Sequence, residues 1–115
     1  MFDQQSNCVL SVSPLPEVLA MRSAYLEAQG YHVVSYQDLA QAQADAMSGR
    51  FRVAIIGQGY ELRKIKEVIR WIRHKAVRVL LVDGVTPPDN FQVDAFLPES
   101  HEVEQMVRAV GWLAW

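Results

Sequence analysis

Phe51-Arg52-Val53-Ala54-Ile55-Ile56-Gly57-Gln58-Gly59 is the stretch that decides the architecture of this chain. Phe51 to Ile56 is an apolar-rich run of strand length, and Gly57-Gln58-Gly59 breaks it. From Glu61 to Lys75 the pattern turns helical, with Leu62, Ile65, Ile69 and Ile72 on one stripe. A strand with no polar face, followed at once by an amphipathic helix, is a βα unit of a parallel sheet.

The same unit recurs outward in both directions. Cys8-Val9-Leu10-Ser11-Val12 is a short buried strand stopped by Pro14 and Pro16. A helix follows from Pro16 to Gln29, its apolar residues Val18, Leu19, Tyr25 and Leu26, with Pro16 at its first position and Gly30 just past its end. Tyr31 to Val34 is the second strand. Asp38 to Ser48 is an Ala-rich helix with Leu39, Ala42, Ala46 and Met47 on one face, closed by Gly49. Val77 to Val82 is the fourth strand and Ala95-Phe96-Leu97 a brief fifth. Asp83 to Asp94 holds Pro87-Pro88 and no helical stripe, so it reads as loop with at most a short turn. Ser100 is positioned to cap a last helix with Glu102 and Glu104 in its first turn and Val103, Met106, Val107, Val110 and Leu113 facing inward. Five strands alternating with helices imply a three-layer, doubly wound α/β domain. One domain spans residues 1–115, with 1–7 a candidate flexible arm.

Composition narrows the functional classes. Half of the 115 residues are hydrophobic and 21% are charged, which excludes a disordered chain, a collagen-like repeat and a disulfide scaffold. The net charge of −2 gives the whole molecule no polyanion-binding field. Cys8 is the single cysteine and fits a reducing compartment. The stretch before it carries no basic residue, unlike a signal peptide, and no apolar run approaches the roughly 20 residues of a membrane span. The expectation is a cytoplasmic domain without membrane contact.

Several phrases resemble bacterial response-regulator receiver domains. They are Val12-Ser13-Pro14-Leu15-Pro16, Leu26-Glu27-Ala28-Gln29-Gly30-Tyr31-His32-Val33, Gly49-Arg50-Phe51-Arg52-Val53-Ala54-Ile55-Ile56 and Val93-Asp94-Ala95-Phe96-Leu97-Pro98. The resemblance covers nearly the full length and implies a flavodoxin-like sheet of order 2-1-3-4-5, with a crevice at the carboxyl ends of the strands. It also implies a phosphorylation site: an acidic pair after the first strand for Mg²⁺, an acceptor Asp ending the third, a Thr or Ser ending the fourth and a Lys ending the fifth. Every station is changed here. The acidic pair falls on Ser13 and Pro14, the acceptor on Gly57, the Thr on Asp83 and the Lys on Glu99. The segment between the fourth and fifth strands is also shorter than in receivers, so the helix expected there is short or absent. The resemblance is therefore to a degenerate member, a pseudo-receiver without Asp phosphorylation.

Other motifs offer little chemistry. Gly57-x-Gly59 has Leu62 where a dinucleotide fingerprint needs its third glycine. His32, His74 and His101 lack metal-site spacing, so no metal and no cofactor is expected. Ser11 and Ser13 lack a nucleophile elbow. Asp83 and Glu99 read as solvated residues at strand ends, with a divalent cation between them as the minor reading.

The third helix carries more signal. Arg63, Lys64, Lys66, Arg70, Arg73 and Lys75 face only Glu61 and Glu67, giving the segment +4 and leaving −6 elsewhere. Trp71 points away from the apolar stripe, towards Lys64 and Lys75. On the last helix Trp112 lies opposite Val103, and Trp115 ends the chain beside it. These residues are the candidate partner-binding set. The reading is a non-enzymatic interaction or regulatory module of bacterial two-component signalling, one that binds a protein partner or itself as a homodimer. The alternative is a nucleic-acid or anion-binding module using the basic third helix.

Overall fold

The computed structural model describes residues 7–84, 86–87 and 91–114. Its elements run β1 (Cys8–Val12), α1 (Pro16–Glu27), β2 (His32–Tyr36), α2 (Leu39–Ala46), β3 (Val53–Gly57), α3 (Leu62–Arg73), β4 (Arg78–Gly84), β5 (Ala95–Pro98) and α4 (Val103–Leu113). The strands form one sheet of order β2-β1-β3-β4-β5, and every pair is parallel. This is the architecture expected from the sequence. No helix lies between β4 and β5 among the described residues, although Pro88 and its two successors fall outside them.

The central strands β1, β3 and β4 are buried on both faces because their residues alternate between two apolar layers. Leu10, Val12, Ala54, Ile56, Val79 and Leu81 pack with α2 and α3. Val9, Val53, Ile55, Leu80 and Val82 pack with Leu26 of α1 and Met106, Val110 and Leu113 of α4. Pro16 opens α1 as expected, and Gly30 and Gly49 take the positive φ that ends a helix without a Cβ clash. Asp38 caps α2 by accepting from the Ala40 amide.

Four local expectations are corrected. Leu62 is 50% exposed and outside the α3 stripe, where Val68 is buried instead, because Leu62 begins the helix at the sheet's edge. Gly57 does not break β3 but ends it, paired in register with Val82. Ser100 does not cap α4: Glu102 does, in a reciprocal capping box with Gln105, which starts the helix two residues later. On α1, Tyr25 faces solvent while Arg22 takes the inward position between Leu19 and Leu26.

Candidate functional site

In a parallel sheet all strands end on one edge, so the loops after β1, β3, β4 and β5 converge there. Ser13, Pro14, Gly57, Asp83 and Glu99 all line one cavity of about 400 Å³ at this edge. The five residues on which the resemblance places its stations are thus brought together in space. The cavity is walled on the helical side by Leu15, Val18, Met21, Val103 and Met106.

Its centre is a residue the sequence reading missed. Arg22 is 1% exposed, and its guanidinium reaches under the strand ends. Nη1 donates to the Ser11 hydroxyl at 3.3 Å and to the Val12 carbonyl at 3.1 Å. Nη2 donates to Asp83 Oδ2 at 2.9 Å, forming an ion pair. Burial lowers the Arg22 pKa from its usual value, and the charge and hydrogen bond of Asp83 oppose that shift. The signal was present in the sequence: Arg22 follows Leu19 by three residues and precedes Leu26 by four, a cation on an otherwise apolar stripe.

The surroundings are shaped around this guanidinium. A Cβ placed on Gly57 would stand 3.5 Å from Arg22 Nη2 and 3.4 Å from the Val12 carbonyl. A methyl group fits there, but a longer side chain meets the guanidinium. Asp83 adopts φ of +65° at the bulge between Val82 and Gly84, which carries its carboxylate back over the sheet edge towards Arg22. Asp is among the few residues that enter this region readily. The His101 side chain is only 10% exposed. Its Nδ1 lies 2.6 Å from the Pro98 carbonyl oxygen and 3.7 Å from Asp83 Oδ1.

The chemical capacity of the cavity follows from these partners. Asp83 and Glu99 share the cavity, but one oxygen of Asp83 is committed to Arg22. The Ser11 hydroxyl accepts from Arg22, and the Ser13 hydroxyl accepts from the Leu15 amide. No group of three or more His, Cys, Asp or Glu side chains placed to hold a metal ion occurs among the described residues. Cys8 is half-buried.

The other candidate residues lie on outer faces. Trp71 is 41% exposed on α3, with the Arg70 guanidinium 6.0 Å from its ring and the His74 ring 6.1 Å away. Lys64 and Lys75 are exposed with it. Trp112 is 75% exposed on α4. Trp115 lies outside the described residues. No helix of the described residues is long and apolar enough to cross a membrane.

No protein-family model and no curated protein matches the chain. Solved structures do. Vibrio cholerae chemotaxis protein CheY4 superposes with a TM-score of 0.76 at 22% identity, covering 92% of this chain and 97% of that one. The signal receiver domain of a putative LuxO repressor protein from Vibrio parahaemolyticus gives 0.82 at 13%, covering 94% and 89%. A response regulator from Burkholderia pseudomallei, solved with a phosphorylated aspartic acid, a calcium ion and citrate, gives 0.74 at 17%, covering 94% and 68%. The neighbours are response-regulator receiver domains, and the fold of this chain is theirs.

Proposed function

We propose that this chain is a pseudo-receiver: a cytoplasmic, non-enzymatic regulatory module of bacterial signalling that acts by binding a protein partner or itself, without aspartyl phosphorylation. The observation that carries the reading is Arg22. A guanidinium paired to Asp83 lies beside Gly57, the acceptor station, and a bonded side chain cannot be exchanged with solvent as a metal ion can. A dense phosphoryl charge also gains nothing from Asp83 and Glu99, which replace a hydroxyl and a cation of the resembling family. The partner surfaces are Trp71 with Lys64 and Lys75, and Trp112, since exposed aromatics beside cations are favoured interface anchors.

Intact-mass measurement after incubation with acetyl phosphate and Mg²⁺ tests this. The expected result is an unchanged mass, for the parent and for Gly57→Asp. That variant gains an acceptor carboxylate, but it has no acidic residue at Ser13 or Pro14 and places the new group against Arg22. A stable phosphoryl adduct on the parent chain would overturn the reading.

The second reading, a nucleic-acid or anion-binding module, draws on the +4 charge of the third-helix segment. It requires binding to single-stranded DNA that falls steeply with salt and is lost in Arg63, Lys64, Arg70 and Lys75 variants.

A further inference from the structure

We propose that the chain assembles head to tail with further copies of itself, the Trp71 face of α3 in one copy seating in the α1–α4 cavity of the next. This rests on reading the domain as an interaction module and names its partner. Two independent complementarities carry it.

The first is apolar. The cavity is open to solvent, and its helical wall includes Leu15 and Met21, which are 50% and 41% exposed. Trp71 is a single large apolar group that projects from a polar helix face. Interface hot spots are enriched in Trp, Tyr and Arg seated in well-packed pockets.

The second is electrostatic. Within the cavity the charges of Arg22 and Asp83 are already paired, whereas Glu99 has no ion-pair partner among the described residues. Exposed Glu102 and Glu104 follow at the start of α4. Around Trp71 stand Lys64, Arg70 and Lys75, with Glu67 the one acid within a turn. None of these three cations has an ion-pair or hydrogen-bond partner among the described residues. The cations around Trp71 therefore find their counter-charge in Glu99, Glu102 and Glu104 at the cavity of the next copy.

Topology then dictates the form of the assembly. α3 packs on one face of the sheet, and α1 and α4 on the other. α3 runs away from the carboxyl edge, so Trp71 near its end lies at the opposite edge from the cavity. Knob and cavity are diagonally opposed, and two copies cannot satisfy both contacts at once. The interaction is heterologous and grows as an open chain.

Sedimentation velocity over a concentration series is the test, with folding of each variant checked by circular dichroism. The parent's average mass is expected to rise above the 13.0 kDa monomer without a dimer plateau, and to return to monomer near about 1 M salt, where the screening length is about 3 Å. Trp71→Ala and Met21→Arg are each expected to be monomeric alone. Mixed together they retain one intact knob and one intact cavity, and are expected to form a single species of twice the monomer mass. A parent that stays monomeric throughout, or a mixture that does not pair, would overturn the proposal. None of these readouts depends on phosphorylation, so the acetyl phosphate result and this one fail separately.

Discussion

Replacing Asp83 by Asn isolates the charge of the central ion pair. Asn tolerates the positive φ that Asp83 adopts and keeps an oxygen to accept from Arg22, so backbone and shape are retained. What is lost is the negative charge opposite a guanidinium that is almost fully enclosed. Removing one partner of a buried pair costs about 3–5 kcal/mol, mainly because the remaining charge is left uncompensated. The Asp83 side chain is 34% exposed, so water relieves part of this and the lower end applies, about 3 kcal/mol. An unfolding entropy of about 2.1 cal/mol/K per residue over 115 residues converts this into a fall in Tm of about 12 °C.

The assay is thermal and urea denaturation of four proteins: parent, Asp83→Asn, Arg22→Met and the double variant. Arg22→Met also loses stability, because the buried Ser11 hydroxyl and Val12 carbonyl lose their donor. The double variant is expected to lose less than the sum of the single losses, with a coupling of about 1–3 kcal/mol. An Asp83→Asn protein melting within about 2 °C of the parent, or a cycle with no coupling, would refute the idea that this pair holds the strand ends together.

Two further outcomes are expected. Burial, more than the charge of Asp38, pushes the Tyr60 phenol up to about 12 against the opposing charge of Arg22, and its hydroxyl donates to the Gln37 carbonyl. The folded state thus holds this proton more tightly than the unfolded chain, whose phenol titrates near about 10. The stability Tyr60 contributes is full below about pH 10 and lost as pH rises through about 12. Urea midpoints of parent and Tyr60→Phe should converge across that window, and parallel profiles would refute the assignment. Trp112→Ala should leave Tm within about 2 °C, since a 75% exposed side chain has little to lose. A fall of more than about 5 °C would place the ring against its own chain and remove Trp112 from the partner surface.

The features legible in the sequence were those set by neighbours along the chain. β3 is buried on both faces, so it reads as an apolar run wherever it lies in the sheet. Gly30, Gly49, Pro16 and Asp38 mark helix ends through local backbone chemistry, and they were found. The start of α4 was misplaced because Ser100 and Glu102 both satisfy a capping pattern, and the choice was decided by Gln105 reaching back to the Glu102 amide. β2 runs two residues past its apolar run because Ser35 and Tyr36 pair with Ser11 and Val12 at the sheet's margin, where burial no longer marks them. Ser13, Pro14, Gly57, Asp83 and Glu99 meet at one cavity because strand ends fix where each loop residue falls. Arg22 shows in the sequence only as a cation on the apolar stripe of α1, without its partners. Its partners Ser11 and Asp83 stand 11 and 61 residues away, and no periodicity of α1 points to either.

That non-local group determines what the cavity can still do. A parallel sheet presents backbone carbonyls and loop side chains at its carboxyl edge, and any charge there needs a counter-charge close by. In a site that takes up a metal and a phosphoryl group, the counter-charge arrives with the ligand and leaves with it, which makes occupancy a signal. Here Arg22 is part of α1 and bonds β1 through Ser11 and Val12 and β4 through Asp83. The counter-charge is part of the chain itself and forms with the fold. Binding can then discriminate between partners only through surfaces that differ in exposure, and among the described residues the large exposed side chains on α3 and α4 are Leu62, Trp71 and Trp112. On the pseudo-receiver reading proposed above, regulation would follow mass action, set by concentration and by the partner that occupies those faces.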